Sequence, residues 1–394
     1  MEAENQGMSL AEQMNRRVRA QATSDILQFN AEISQIQDIV KLTLGEPDFT
    51  TPDHIKAAAV ASIEADQSHY LDSRGLLQLR QAASDFFADQ YGTRYDPERE
   101  LLVTAGATGG IYSSLTAMLN QGDTVFIPTP IFPLYFPVTQ LAGGHVVSID
   151  TSADGFLLTP EKLQNAIESH RDSAKVVILN YPSNPTGVTY TQSQLKELGE
   201  VAKQYGIFVL SDEIYSELTY AGKHVSMGEV LPEQSVVLNG VSKSHAMTGW
   251  RIGTVAGPAD VITEIAKVSE FTITCVTANA QYAAAEAFSQ GRTDAQTMKN
   301  VYMDRRDFML RSLRNAGLRV VEPQGAFYLF LQLPERMRDS WKFAYGLARE
   351  GKVAVIPGAS FGAGGDGYVR ISYAASMEDL RIGVDRIISY MEAH

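Results

Sequence analysis

Seven short apolar, largely β-branched runs recur between about residues 100 and 257, and they set the tightest limit on how this chain folds. The runs are Leu101–Thr104, Thr124–Ile127, Val146–Ile149, Val176–Leu179, Ile207–Leu210, Val236–Leu238 and Ile252–Ala256. Helix-like stretches lie between several of them, such as Ile111–Leu119 and Gln192–Tyr205. A strand that is apolar along its whole length needs cover on both faces, and intervening helices supply it. The pattern therefore predicts an α/β fold with a mainly parallel central sheet flanked by helices.

After about residue 290 the texture changes. A charged helical segment, Met298–Asn315, precedes the strand-like run Gly325–Phe330. A helical piece, Trp341–Arg349, then precedes Val353–Ile356 and Tyr368–Tyr373. This reads as a smaller α+β domain. The N-terminal segment comes before the βα pattern, so it is expected to pack with that domain. The predicted division is a large domain over residues 46–289 and a small one from residues 1–45 and 290–394. At 394 residues and 44% hydrophobic content, the chain can fill two cores.

The formal net charge of −13 argues against nucleic acid and anionic membranes as partners. Cys275 is the single cysteine, so no intrachain disulfide can form and a reducing, cytoplasmic setting is expected. Its Thr/Val-rich surroundings favour a small buried residue over a reactive thiol. The segment Met1–Ala20 is polar and lacks the apolar stretch of a signal peptide. No run approaches the ~18 apolar residues of a membrane span. No zinc-ligand spacing occurs, so no metal is expected.

Four unusual strings follow predicted strands, where open parallel sheets bind their ligands. Ala105-Gly106-Ala107-Thr108-Gly109-Gly110 leads into a helix. Small residues there let backbone N–H groups approach a phosphate, although a tight βα turn needs the same residues. Asn180-Tyr181-Pro182-Ser183-Asn184-Pro185-Thr186-Gly187 is a rigid turn in which Asn184 can offer an amide to a ligand oxygen. Ser211-Asp212-Glu213-Ile214-Tyr215 places a carboxylate at the end of a buried strand. Asp212 either caps the following turn or pairs with a cation such as a protonated pyridine nitrogen. Tyr215 can donate to a ring oxygen. Ser242-Lys243-Ser244 and the following Gly249-Trp250-Arg251-Ile252-Gly253 join an amine, a hydroxyl and a guanidinium. Lys243 alone reads as a surface lysine. With the other three strings it reads as the amine that bonds pyridoxal phosphate, with Ser242 and Arg251 on the phosphate.

Asn184-Pro185-Thr186-Gly187, Asp212-Glu213-Ile214-Tyr215 and Ser242-Lys243…Gly249-Trp250-Arg251-Ile252-Gly253 resemble the motifs of class I, fold type I pyridoxal-phosphate aminotransferases. The resemblance runs from Lys41–Phe49 to Tyr368–Tyr373. It implies pyridoxal 5′-phosphate as cofactor, bonded to Lys243, which also moves the substrate proton. It implies Asp212 on the pyridinium nitrogen, and Asn184 and Tyr215 on the phenolic oxygen. Gly106, Ala107, Thr108, Ser242 and Arg251 are implied for the phosphate. Phe132 resembles the aromatic that stacks on the ring, or is plain core. Arg370 resembles the arginine that grips the substrate α-carboxylate, beside Gly45. Tyr70 resembles the tyrosine that reaches the partner's phosphate in a homodimer. Relatives carry Glu-Ala where this chain has Gly109-Gly110. Two glycines weaken a helix start by about 1 kcal/mol each against alanine, so either the phosphate loop is more mobile here or a partner side chain fills the space.

The activity implied is transfer of an amino group from an L-amino acid to a 2-oxo acid by ping-pong steps. The subgroup it most resembles is that of bacterial aromatic-amino-acid aminotransferases, aminotransferase A and acetyl-diaminopimelate aminotransferases. No arginine for a distal carboxylate is evident, which favours an aromatic donor such as phenylalanine or tyrosine, with 2-oxoglutarate as acceptor. A β-lyase would use the same cofactor residues and differ only in its products.

Overall fold

Every one of the seven apolar runs becomes a strand of one sheet in the computed structural model, which describes residues 9–394. The first eight residues of the Met1–Ala20 stretch lie outside the described residues. After a two-residue strand β1 (Val40–Lys41), the central strands are β2 (Leu101–Ala105), β3 (Thr124–Thr129), β4 (His145–Asp150), β5 (Ala174–Asn180), β6 (Phe208–Asp212), β7 (Ser235–Gly240) and β8 (Ile252–Ala256). Their order is β2-β8-β7-β6-β5-β3-β4. β7, β6, β5, β3 and β4 pair in parallel, and β8 runs antiparallel to both its neighbours. β3 and β7 are buried throughout. β4 lies at an edge and keeps polar residues on its open side.

Alternate side chains feed two cores, as the two-residue period of a strand requires. Val125, Ile127, Val176 and Ile178 pack with Ile111, Leu115, Ile262 and Ile265 from helices Gly106–Met118 and Ala259–Ile273. Phe126, Val177, Leu179 and Val209 face the opposite way, towards Leu163, Leu195 and Leu198. Helix Gln192–Tyr205 has the predicted bounds because its ends are well marked. Thr191 and Gln194 form a reciprocal capping box, and Gly206 closes the helix at φ 66°.

Helix Gly106–Met118 begins five residues before the predicted segment. Gly109-Gly110 does not interrupt it, because close packing on the sheet overrides propensity. A Cβ on Gly110 would lie 2.9 Å from both Leu238 Cδ2 and Val255 Cγ2, so no open space remains there.

A second sheet has the order β12-β13-β10-β9 and is antiparallel. Its strands are β9 (Val320–Val321), β10 (Tyr328–Gln332), β12 (Ile356–Pro357) and β13 (Tyr368–Ser372). β10 starts later than predicted because Ala326 sits at φ 57°, outside the extended region. The predicted run Val353–Ile356 is divided: β11 (Val353–Ala354) pairs in parallel with β1, while Ile356 joins β13. The predicted helix Trp341–Arg349 is an α-helix over Ser340–Gly346 followed by a π turn over Leu347–Gly351. Phe29, Ile33 and Leu42 pack in one core with Leu329, Ile371 and Val384.

Cys275 is unpaired and partly exposed, not buried. It follows Thr274, which ends helix Ala259–Ile273 at φ 61°. No helix among the described residues is long and apolar enough to cross a membrane, and no metal-ligating cluster occurs among them.

Candidate active site

The carboxyl ends of β5, β6 and β7 bring three of the unusual strings side by side. Asn180 and Asp212 are register partners, and so are Asp212 and Leu238. Lys243 follows β7, and its Nζ donates to the Gly45 carbonyl at 2.5 Å. Burial lowers the Lys243 pKa to about 8; nearby Arg251 and Arg370 push the same way, while Glu46 and Asp212 oppose. A substantial fraction of this amine is therefore neutral and nucleophilic near pH 8.

Asp212 is 3% exposed. Its carboxylate accepts from the Tyr135 hydroxyl at 2.7 Å and from the Ile214 N–H at 3.2 Å. Burial raises its pKa to about 6 against both hydrogen bonds. Two neutral donors leave a buried carboxylate short of charge balance. The turn-capping role is real, since Ile214 is the donor, but it uses only one oxygen.

Asn180 ties the next string down. Its amide donates to the Asp212 carbonyl at 3.1 Å, and its Oδ1 accepts the Asn184 N–H at 3.0 Å. Asn184 Oδ1 in turn accepts from Arg370 Nη1 at 2.9 Å. Arg370 Nη2 donates to the Thr43 carbonyl at 2.7 Å, and the buried Nε has no partner. The guanidinium lies 4.5 Å from the Tyr328 ring centre and 5.2 Å from that of Phe361. Tyr215 and Tyr328 share a hydroxyl–hydroxyl hydrogen bond of 2.7 Å.

At the fourth string, helix Gly106–Met118 starts with no side-chain cap. The N–H groups of its first turn have no intrahelical partners and favour an anion. Arg251 lies over Gly106, which adopts φ 70°, and donates from Nη1 to the Thr248 carbonyl at 2.8 Å. A side chain on Gly106 would collide with that guanidinium.

Gly45, Ala107, Thr108, Phe132, Asn184, Asp212, Tyr215, Ser242, Lys243, Arg251 and Arg370 line one cavity of about 340 Å³. Gly106 lies under Arg251 at its edge. Tyr70 does not enter the cavity of its own chain and is 85% exposed. Sequence reasoning missed Tyr135, Asn180, Thr43 and Tyr328. It also missed Ile26, Leu27 and Asn30, which helix Asp25–Ile33 adds to the wall. Asn180 had a signal, because it opens the rigid turn that carries Asn184. Tyr328 sat in a run that read only as a strand, and Tyr135 in a segment with no signal of its own.

The residues fit pyridoxal 5′-phosphate. The under-compensated Asp212 suits a protonated ring nitrogen, the uncapped helix with Arg251 suits a phosphate, and the Lys243 amine suits an aldehyde. On a mainly parallel sheet with this cavity at its strand ends, the fit defines a fold type I pyridoxal-phosphate enzyme. The family model "Aminotransferase class I and II" matches residues 37–387. A probable N-acetyl-LL-diaminopimelate aminotransferase of Bacillus subtilis (strain 168) is 41% identical, over 95% of this chain and 94% of that protein. An aspartate aminotransferase of Geobacillus stearothermophilus is also 41% identical, over 90% and 92%. The crystal structure of an aromatic aminotransferase from Pyrococcus horikoshii OT3 superposes with a TM-score of 0.87 at 36% identity, covering 94% of this chain and 99% of that one. The chain belongs to the class I and II aminotransferases and is a pyridoxal-phosphate-dependent enzyme.

Proposed function

We propose that this aminotransferase takes its amino group from an aromatic L-amino acid, phenylalanine or tyrosine, and passes it to 2-oxoglutarate. The observation that carries the choice of donor is the charge inventory of the cavity. Lys243, Arg251 and Arg370 are the cations among its described lining residues. Lys243 is committed to the cofactor aldehyde, Arg251 to the phosphate and Arg370 to the α-carboxylate. No cation of this chain is left for the distal carboxylate of a dicarboxylic donor, and the distal carboxylate of 2-oxoglutarate is left to neutral donors such as Asn30. The remaining wall includes Ile26, Leu27, Leu44, Ile111 and Phe132, which suit an apolar side chain.

Bound pyridoxal phosphate supplies an electron sink that acidifies the substrate Cα hydrogen. Asp212 holds the ring nitrogen protonated, and Asn184 and Tyr215 hold the phenolic oxygen. Gly106, Ala107 and Thr108 offer backbone N–H groups to the phosphate, with Ser242 and Arg251. Phe132 covers one face of the ring. Arg370 grips the α-carboxylate beside Gly45, and the neutral amine of Lys243 would take the proton from Cα and deliver it to C4′ of the cofactor.

We assign the enzyme to a homodimer in which Tyr70 reaches the partner's cavity. Tyr70 and Phe271 are each 85% exposed, and their segments are tied by Ser73 Oγ donating to Glu270 at 3.3 Å. The proposed domains are residues 46–289, and residues 1–45 with 290–394; the proposed location is the cytoplasm. A second donor, N-acetyl-LL-diaminopimelate, is favoured by the name of the B. subtilis relative.

A half-reaction panel tests the reading. Single amino acids (phenylalanine, tyrosine, aspartate, alanine and N-acetyl-LL-diaminopimelate) are added to the purified enzyme and the cofactor absorbance is followed. Fastest conversion to the pyridoxamine form with the aromatic donors is expected. Faster conversion with aspartate or the acylated substrate overturns the donor, and release of ammonia or of a β-substituent instead identifies a lyase.

A further inference from the structure

Tyr328 touches two groups assigned above to catalysis. Its side chain is fully buried, on β10, where it pairs with Ser372, two residues beyond Arg370. Its hydroxyl lies 2.7 Å from that of Tyr215, and its ring lies under the Arg370 guanidinium. Tyr215 is also held from the side, with its ring edge-on to Phe327 and Tyr328 at 5.6 and 5.8 Å.

Each phenol has one hydrogen to give. In an isolated pair either oxygen can be the donor. If the Tyr215 hydrogen goes to an oxygen in the cavity, the bond between the two hydroxyls must use the Tyr328 hydrogen. Tyr328 suits that part: a guanidinium over its ring draws charge from the phenol and strengthens its O–H as a donor. A hydroxyl that accepts one hydrogen bond also donates a stronger one, by about 10–30% per bond in a chain.

We infer that Tyr328 is a positioning residue: it donates its hydroxyl hydrogen to Tyr215 and thereby commits the Tyr215 hydrogen to the phenolic oxygen of the cofactor. The inference rests on the reading of Tyr215 above and adds a second residue behind it. A donor to the phenolic oxygen draws negative charge off it and eases proton loss from the bound cofactor. Weakening that donor therefore moves the pH midpoint of the cofactor's visible absorbance upward.

The test is a pH titration of the visible absorbance of the cofactor-loaded enzyme in four forms: wild type, Tyr215→Phe, Tyr328→Phe and the double variant. Phenylalanine keeps both rings and removes only the hydroxyls. The midpoint should rise in Tyr328→Phe, by less than in Tyr215→Phe, and Tyr328→Phe should add no further shift in the Tyr215→Phe background. A wild-type midpoint in Tyr328→Phe, or two shifts that simply add, overturns the inference. An unchanged midpoint in Tyr215→Phe means that the assigned role of Tyr215 is wrong, and the role of Tyr328 falls with it. Loss of the visible band from the wild type would instead refute the cofactor assignment itself.

Discussion

Arg370 and Asn184 are bound to each other, Nη1 to Oδ1 at 2.9 Å, across the junction between the second sheet and the loop after β5. Both are buried, at 4% and 6% exposure. In the proposed reading one side chain takes the substrate carboxylate and the other the cofactor oxygen, so carboxylate binding and ring orientation share one hydrogen bond.

Arg370→Lys should therefore do more than weaken a charge contact. Lysine keeps the charge but cannot hold Asn184, the Thr43 carbonyl and a carboxylate together through a planar fork. Truncating one side of a buried, hydrogen-bonded charge pair costs about 2–5 kcal/mol. The KM for both donor and acceptor should rise at least tenfold, while cofactor remains bound. Steady-state kinetics decide this, and an unchanged KM would put the carboxylate elsewhere.

Lys243 should react as a free amine with a midpoint near pH 8, the value to which burial brings it. Labelling of cofactor-free enzyme by pyridoxal and borohydride should rise as pH passes through that value and then level off. Lys243→Ala should give no label at this position and no turnover. A rise that begins only near pH 10 would mean the amine is solvated.

The central sheet was legible because strand burial on both faces leaves continuous apolar runs, such as Val236–Leu238 in β7. The second sheet was less so. There Ala326 at φ 57° delays β10, and the break at Val355 sends Ala354 and Ile356 to different sheets. Neither has a signature in residue type. Lys243, Asp212 and Asn184 stood out because charged or turn-forming residues ended apolar runs. Tyr135 and Tyr328 did not, since an aromatic in a buried segment looks the same whether its hydroxyl meets Asp212, Tyr215 or nothing.

The two adjacent glycines of the phosphate helix should respond in opposite directions. A Cβ on Gly109 meets nothing nearer than Ala105 Cβ at 3.4 Å, so Gly109→Ala should stabilise by up to about 1 kcal/mol. Gly110→Ala drives a methyl to 2.9 Å from Leu238 and Val255, an overpacking that costs about 1–3 kcal/mol. Chemical denaturation of both variants checks the contrast. Equal stabilisation would mean that the helix moves off the sheet at little cost.

Asp212 should be a stability cost in the cofactor-free enzyme. Burial raises its pKa to about 6, so the folded state favours the protonated form and loses stability as pH rises from about 4 through 6. Asp212→Asn removes that penalty and should stabilise cofactor-free enzyme at pH 7 by about 2–3 kcal/mol. The same variant should lose activity, because a neutral amide cannot hold the ring nitrogen protonated. Thermal melts without cofactor measure the first effect, and a lower Tm than wild type would contradict it.

His54 carries the opposite charge logic. Burial disfavours its imidazolium, but hydrogen bonds to Asp294 and Glu286, each 2.9 Å, outweigh burial and raise its pKa above the ordinary value. Its contribution is therefore complete below about pH 6.5 and is lost as pH rises through the folded value. The bonds join helix Asp53–Glu64 to helix Ala278–Ser289 and to the start of helix Asp294–Asn315. Gly291, between those last two helices, accepts from His245 Nε2 at 2.9 Å, two residues after Lys243. The clip is partly exposed, so salt should weaken it. The Tm of wild type minus that of His54→Gln should be largest near pH 5.5 and shrink towards pH 8.5. A difference that stays flat across that range would show that folding leaves the His54 pKa at its unfolded value, and one that grows with pH would show an imidazole kept neutral by the fold.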